Sequence, residues 1–483
     1  MQFAAIQRII GVLLMLFSST LLIPIGISLF TDDGALDAFI WALSLLLLAG
    51  LLLWFPVRNR HQELRVREGF IVAFVIWLTV SISGAVPFIL AAHPHMSFTD
   101  AVFESTSALT TTGSTVLVGL DKLPASILYY RQQLQLLGGM GIIVLAVAIL
   151  PMLGVGGMQL YRAEVPGPMK DAKLTPRITE TAKALWYIYV GLVVLCAFSY
   201  WLAGMTPWDA ILHSYGTLST GGFSSHDASF AYFNSKSISL VGSLFMFLGG
   251  VNFSLHFLAW RHTSIKQYFL DPEFRTYLGI MVTIIIICVA MLLAEHVYSD
   301  PVLAVVDSIF QTVSIMSCTG FTSAVFQKWP TFVPLLLIFS SFIGGCAGST
   351  SGGLKVIRVL LLFKQGLREI KLLVHPNAVI PIKIGQHVLP DRVVGAIWGF
   401  FAMYVVVFTA LLLGLMATGL DQVSAFSGLA ACINNMGPGL GKVSANFASI
   451  NPAAKWIYSL SMILGRLEIF TLVVLLAPAF WRK

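Results

Sequence analysis

Four short runs concentrate the polar chemistry of this chain: Thr110 to Thr115 (TTTGST), Ser219 to Ser224 (STGGFS), Ser317 to Thr322 (SCTGFT) and Asn434 to Gly439 (NNMGPG). None holds a carboxylate, a histidine or a lysine, so none suits acid–base work. Each offers backbone carbonyls beside one glycine, the aligned positions being Gly113, Gly222, Gly320 and Gly437. A glycine at positive φ lets successive carbonyls face one direction, and a ring of carbonyls can replace the hydration shell of a monovalent cation. The candidate coordinating residues are therefore Thr111, Thr112, Gly113, Thr220, Gly221, Gly222, Thr319, Gly320, Asn435, Met436 and Gly437. Two further landmarks recur with them. Thirteen residues before the glycine stand Asp100, Asp209, Asp307 and Ser424, with Asp421 three residues earlier in the last copy; 24 to 28 residues after it begin the pairs Gly138-Gly139, Gly249-Gly250, Gly344-Gly345 and Gly465-Arg466. Agreement at three separated landmarks marks an internal repeat.

Lengths dictate the elements that must hold these runs. From Asp100 to Thr112 is 13 residues, which as a helix reaches about 20 Å, short of the ~30 Å hydrocarbon core. Such a segment enters and returns on one side, with the Asp as its expected N-cap. Ten apolar runs are long enough to cross: 9–30, 35–56, 69–92, 134–160, 182–204, 237–260, 275–296, 331–361, 393–418 and 455–479. The expected fold is an all-α integral membrane protein: ten transmembrane helices, of which two N-terminal ones (1–68) precede four parallel membrane–pore-loop–membrane repeats around a pseudo-fourfold axis. The repeats are 69–181, 182–274, 275–390 (with a gate loop) and 391–483. Half-helix C-termini converging on the axis would bring partial negative charge there. The plainer reading of the glycine doublets is close helix packing.

Composition agrees with a bilayer. Of 483 residues 57% are hydrophobic and 11% charged, against about 25% charged in soluble domains. No polar interval is long enough for a separate catalytic domain. The net charge of +7 comes from 29 Lys plus Arg against 22 Asp plus Glu. With ten spans, 22 of the 29 fall on one face, including Arg58, Arg60, Arg65, Arg67, the set Arg162, Lys170, Lys173, Arg177 and Lys183, and seven from Lys355 to Arg392. The positive-inside rule puts that face and both termini in the cytoplasm, so the charge is topological rather than a nucleic-acid footprint, and suits anionic membrane lipid or an acidic partner. The first apolar run is too long for a signal-peptide core. Five cysteines without CxxC spacing exclude a zinc module or disulfide framework. Neither glycine-rich stretch fits a phosphate loop, so no nucleotide site and no organic cofactor is expected in this chain.

Five glycines in the 12 residues Phe342 to Gly353 should unwind the eighth span near mid-membrane. The gate candidates are Gly344, Gly345, Cys346, Ala347, Gly348, Ser349, Thr350, Gly352 and Gly353, joined by Arg466 inside the last span, a costly place for a charge. The alternatives are a rigid kink for the loop and a structural ion pair for Arg466; Glu468, two residues on, faces away from it on a helix. Lys355 is expected to snorkel to the interface. Glu104 and Asp100 are expected near the mouth, where they would concentrate cations. Two rival functions are a proton- or sodium-coupled carrier, for which inverted repeats would be expected, and an intramembrane protease using Ser349 with a histidine such as His256.

The long motifs FESTSALTTTGSTVLVGL (Phe103 to Leu120), GGMGIIVLAVAILPMLGVGGMQLYRAE (Gly138 to Glu164), GGFSSHD (Gly221 to Asp227), FIGGCAGSTSGGLKVIR (Phe342 to Arg358) and NNMGPGLG (Asn434 to Gly441) resemble the Trk/Ktr/HKT superfamily of potassium transporters over essentially the whole chain. The resemblance implies a potassium-selective filter at the four aligned glycines, with Gly113 favouring potassium because sodium-passing relatives often carry Ser there. It also implies a homodimer in the bacterial inner membrane and a cytosolic TrkA-type ring that binds nucleotide and gates the pore. Ser351 departs from the expected pattern, where a further glycine would stand.

Overall fold

The computed structural model describes residues 3–59, 66–144, 178–385 and 387–481. Arg60, Arg65, Arg162, Lys170, Lys173, Arg177, Arg482 and Lys483, the second half of the 134–160 run and most of the Gly138 to Glu164 motif lie outside the described residues.

The N-terminal apolar runs form α1 (Phe3–Thr20), α2 (Leu22–Thr31) and α3 (Leu36–Trp54). α1 and α3 cross at Gly11 and Gly50, where an added Cβ on Gly11 would lie 2.9 Å from the Gly50 carbonyl; small residues permit such backbone approach between membrane helices. The connection is tied down by Asp33, whose carboxylate accepts from Ser28 Oγ (2.5 Å) and from the Ser126 amide (2.8 Å).

Then come α4 (Val66–Leu90), α5 (Phe98–Leu109), α6 (Ala125–Val144), α7 (Ile178–Leu202), α8 (Pro207–Leu218), α9 (Lys236–Gly249), α10 (Phe253–Arg261), α11 (Lys266–Leu270), α12 (Pro272–Ala294), α13 (Pro301–Met316), α14 (Phe332–Ile343) and α15 (Val356–Val374). A two-residue antiparallel hairpin, β1 (Lys383–Ile384) with β2 (His387–Val388), leads into α16 (Asp391–Ala417), α17 (Gln422–Ile433), α18 (Pro452–Arg466), α19 (Phe470–Leu476) and α20 (Pro478–Trp481). Among the described residues six helices are long and apolar enough to cross a membrane, or up to eight if each bent pair counts as one span. Their exposed faces carry Trp41, Leu45, Leu48 and Leu52 on α3 and Val405, Val406 and Leu413 on α16, as lipid-facing surfaces require.

Three expected spans are not continuous helices. The run 237–260 bends by 96° between α9 and α10, the run 455–479 bends by 111° between α18 and α19, and 331–361 is irregular from Gly344 to Lys355. By contrast α6 passes straight through Gly138-Gly139. That doublet serves packing: a Cβ on Gly138 would overlap the Leu109 carbonyl at the end of α5, as one on Gly465 would overlap the Ile433 carbonyl at the end of α17.

Two large apolar cores divide the molecule. One joins α1 to α6 with α16 to α18; the other joins α7 to α14 and takes Ala430 and Ala431 from α17. α4 to α6 thus pack with α17 and α18, and α7 to α11 with α12 to α14.

Candidate functional site

The site is built on α5, α8, α13 and α17, each too short to cross. α5 is capped by Ser97, whose Oγ accepts from the Asp100 amide (3.2 Å) and donates to the Asp100 carboxylate (2.8 Å). α8 repeats this with Thr206 and Asp209, at 3.1 and 2.8 Å. Here the expectation that the aligned Asp is the N-cap is corrected: it is the third helical residue, its carboxylate tied to the hydroxyl of the Ser or Thr that caps the helix. In α17 the roles exchange, Asp421 accepting from the Ser424 amide at 3.1 Å. In α13, which begins at Pro301 behind its own cap Asp300, Asp307 is interior and accepts from Ser323 Oγ at 2.7 Å.

All four helices end in one way. The residue two before the glycine is left-handed and never glycine: Thr111 (φ 49°), Thr220 (52°), Cys318 (57°) and Asn435 (52°). The next amide reaches back five residues, Thr112 to Ser107 (2.8 Å), Gly221 to Gly216 (2.7 Å), Thr319 to Ser314 (2.8 Å) and Met436 to Ala431 (2.7 Å). This is a Schellman closure, and a non-glycine left-handed residue at each of four ends is strain of the kind found at functional sites. The glycines follow at φ 87°, 75°, 87° and 100°.

These turns meet. A Cβ on Gly113 would fall on the Gly221 carbonyl, on Gly222 on that of Thr319, on Gly320 on that of Met436, and on Gly437 within 2.9 Å of that of Thr112. Each glycine abuts the carbonyl preceding its neighbour's glycine, and the sequence closes on itself. Side chains add ties: Ser114 Oγ donates to the Gly437 carbonyl (2.8 Å), Asn435 Nδ2 to Thr112 Oγ1 (2.9 Å), and Gln135 Nε2 to the Gly221 carbonyl (2.6 Å). All four glycines line one vestibule of about 470 Å³. Every candidate coordinating residue chosen from the sequence lies in one of these four turns; Cys318 was missed, although it is aligned with Thr111, Thr220 and Asn435 two residues before its glycine, because its type is the least polar of the four.

Under the ring lies the irregular segment Gly344 to Lys355, left-handed at Gly344, Gly348, Gly353 and Lys355. Thr350 Oγ1 donates to the Leu218 and Gly249 carbonyls (2.9 and 3.1 Å), Ser351 Oγ donates to the Ser317 carbonyl (2.6 Å), and Gly352 is pressed against the Asn434 carbonyl. Arg466 reaches from the end of α18, its Nε donating to the Thr110 carbonyl (2.7 Å) and its Nη1 to the Thr350 carbonyl (3.0 Å), with Nη2 against Thr111 Oγ1. Loop and guanidinium together touch the ends of all four half-helices. On the other side the Cys346 amide donates to the Gly250 carbonyl (2.8 Å), the Gly348 carbonyl accepts from the Phe253 amide (3.1 Å), and the buried Glu273 carboxylate accepts from the amides of Ala347 (2.7 Å) and Ile357 (3.3 Å). Glu273 was not singled out by sequence, being one acidic residue at a helix start like any other.

Other expectations are revised. Lys355 does not snorkel outward; its Nζ turns back onto the Ser351 carbonyl. Glu104 does not face the mouth: it is fully buried against Arg131, and Asp100 is engaged by Lys455 Nζ at 2.6 Å. Glu468 pairs with Arg358 (2.7 Å). Ser349 Oγ donates to the Cys346 carbonyl, and His256 is engaged by Leu248 and Tyr268, so no Ser–His pair exists between these candidates.

An α-helical membrane protein with four half-helix turns closed into a ring of carbonyls above a packed loop belongs to the transport class, not among enzymes. The chain is a member of the TrkH cation transport protein family, whose sequence profile matches residues 36–483. It is 56% identical to the Trk system potassium uptake protein TrkH of Vibrio parahaemolyticus and 54% identical to that of Escherichia coli K12, each over 100% of both chains. It also resembles the crystal structure of the potassium transporter TrkH from Vibrio parahaemolyticus, with a TM-score of 0.93 and 53% identity over 100% of both chains.

Proposed function

We propose that this chain is the membrane subunit of a potassium-uptake system, conducting K+ through a filter of four stacked turns. The single observation that carries the reading is the closed ring in which each of Gly113, Gly222, Gly320 and Gly437 abuts a neighbour's carbonyl. Carbonyls held in such a ring replace the water of a monovalent cation without fixed carboxylates, which accords with 11% charged residues. K+ is the cargo; no organic cofactor takes part.

Gly344 to Gly353 with Arg466 form the gate. The guanidinium opposes cation passage while its bonds to Thr110 and Thr350 hold the loop under the filter. The chain has ten spans, divided at 68, 181, 274 and 390 into an N-terminal pair and four pore units around a pseudo-fourfold axis. It lies in the inner membrane as a homodimer with both termini cytoplasmic, and its basic face receives a TrkA-type nucleotide-binding ring that moves the gate. Reconstitution of the purified chain in liposomes, with and without that ring, followed by K+, Rb+ and Na+ flux, tests the reading. Flux of K+ and Rb+ well above Na+, raised by the ring, is expected; Na+ flux equal to K+ flux overturns it.

A further inference from the structure

Behind the filter the four units differ at one aligned position. Nine residues before the glycine stand Glu104, His213, Gln311 and Gly428, all inside the protein. In the first unit Glu104 accepts from Thr115 Oγ1 (2.9 Å) and from the Val116 amide (2.9 Å), both on the limb that climbs away from Gly113. In the second, the His213 ring donates from Nδ1 to the Asp209 carbonyl (2.8 Å), leaving Nε2 to accept from Ser224 Oγ (2.9 Å). Thr115 and Ser224 each stand two residues after their glycine. In the third, Gln311 Nε2 donates to the Ala324 carbonyl (3.1 Å). In the fourth there is no side chain, a Cβ at Gly428 meeting Tyr458 Oη at 2.6 Å, and Ser427 Oγ instead accepts from the Leu440 amide at 2.8 Å.

The first unit is the only one of the four whose brace carries charge, and it reaches across a unit boundary. Arg131 on α6, 1% exposed, donates from Nε to the fully buried Glu104 (2.9 Å), and from Nη2 to Thr115 Oγ1 (3.2 Å). Its Nη1 donates to the Ser224 carbonyl of the second unit (3.1 Å) and its guanidinium lies 4.2 Å from the centre of the Phe223 ring, next in sequence to Gly222. One neutralised pair thus holds two ascending limbs at a set separation. Na+ is smaller than K+, so a ring that is to refuse it must resist contraction, and charge-assisted bonds in a water-free setting are the stiffest available to a side chain.

Resting on the reading of the glycine ring as a potassium filter, we propose that the residue nine before each glycine braces the ascending limb, and that Glu104 with Arg131 is a positioning pair that determines the filter's preference for K+ over Na+. The test is flux of both ions through the full chain in liposomes. Removing one partner would leave a lone buried charge, so the main variant is the double Glu104→Gln, Arg131→Met. Its expected Na+ to K+ flux ratio is ~10-fold above that of the unmodified chain. Glu104→Asp, which keeps the charge, should restore most of the preference. Thr115→Val leaves the pair itself intact and removes only the shared hydroxyl, so it is measured alongside, with a smaller rise expected. A folded double variant with an unchanged ratio overturns the proposal, and if that variant does not fold, an unchanged ratio in Thr115→Val overturns it. Gly113→Ser in the same assay separates the two readings: a ratio that moves there but not in the brace variants leaves the filter standing without its brace, whereas a ratio unmoved by Gly113→Ser removes both.

Discussion

In the proposed gate, Arg466 is a side chain that would act on ions without binding them. It is 6% exposed, and its recorded hydrogen bonds go to Thr110, Thr111 and Thr350; among the described residues no ion pair joins it to a carboxylate. A unit charge about 8 Å from a passing cation is worth roughly 2 kcal/mol at an effective dielectric near 20. Arg466→Ala is therefore expected to raise K+ flux through the chain without its cytosolic partner by ~10-fold or more, and an unaltered flux in liposomes would remove the barrier role. The ring glycines make the opposite case, in which adding one carbon is costly. At Gly222 (φ 75°) a Cβ overlaps the Thr319 carbonyl, and a non-glycine residue there costs about 1–3 kcal/mol in backbone strain alone. Gly222→Ala should abolish measurable K+ flux while the protein still elutes at its usual size.

At the scale of elements the telling segment is Gly344 to Lys355. Its glycine content predicted an unwound span, and it is unwound. What the sequence did not disclose is the fastening: one carboxylate, Glu273 on α12, takes the amide of Ala347 within the segment and that of Ile357 in the first turn of α15 beyond it. Glu273→Ala leaves the buried Ile357 amide unpaired, at about 1–3 kcal/mol, and the part-buried Ala347 amide at a smaller cost. Protease accessibility of the loop and K+ flux without the partner should both increase, and a loop as resistant as before would show that other contacts suffice. The half-helices were legible for a simple reason: length against membrane thickness leaves little choice, and the repeat of glycine and aspartate fixed the register. Their caps were legible only in part. Asp100 and Asp209 marked the right turn of the helix, yet distinguishing the cap from the third residue needs the Ser97 and Thr206 hydroxyls, which sequence alone does not orient. The 96° and 111° bends were announced by Gly249-Gly250 and Gly465-Arg466, but the same signal at Gly138-Gly139 accompanies an unbroken α6, because what that doublet accommodates is the end of α5.

For the molecule as a whole, the vestibule wall carries a titratable contact between distant segments. His226 in its wall is bonded through Nδ1 to Asp121 (2.5 Å) and through Nε2 to Asp209 (3.2 Å), and stacks on Tyr232 at 3.5 Å. Partial burial works against its charge, but the two carboxylates outweigh that and raise its pKa above the ordinary value. Since the folded pKa is the higher one, the stabilisation is fully present below the unfolded value of about 6.5 and is lost as pH rises through the folded value. Melting of the purified protein in detergent should therefore separate the unmodified chain from His226→Gln at about pH 6 and bring the two together at about pH 9; an equal gap at both would assign the histidine a purely steric role. Long-range pairings of this kind, like Glu104 with Arg131, were hidden in the sequence because a polar residue in an apolar helix looks the same whether it faces water or a partner.

The closed succession of glycine against carbonyl has a consequence for how such a chain can change over time. Every glycine of the ring is read twice, once in its own turn and once by the neighbour it touches, so the rim tolerates little. Because the four copies are separate stretches of one gene, however, whatever lies behind the rim can be altered in one quadrant at a time. A channel of four identical subunits has no such freedom, since any substitution there arrives fourfold.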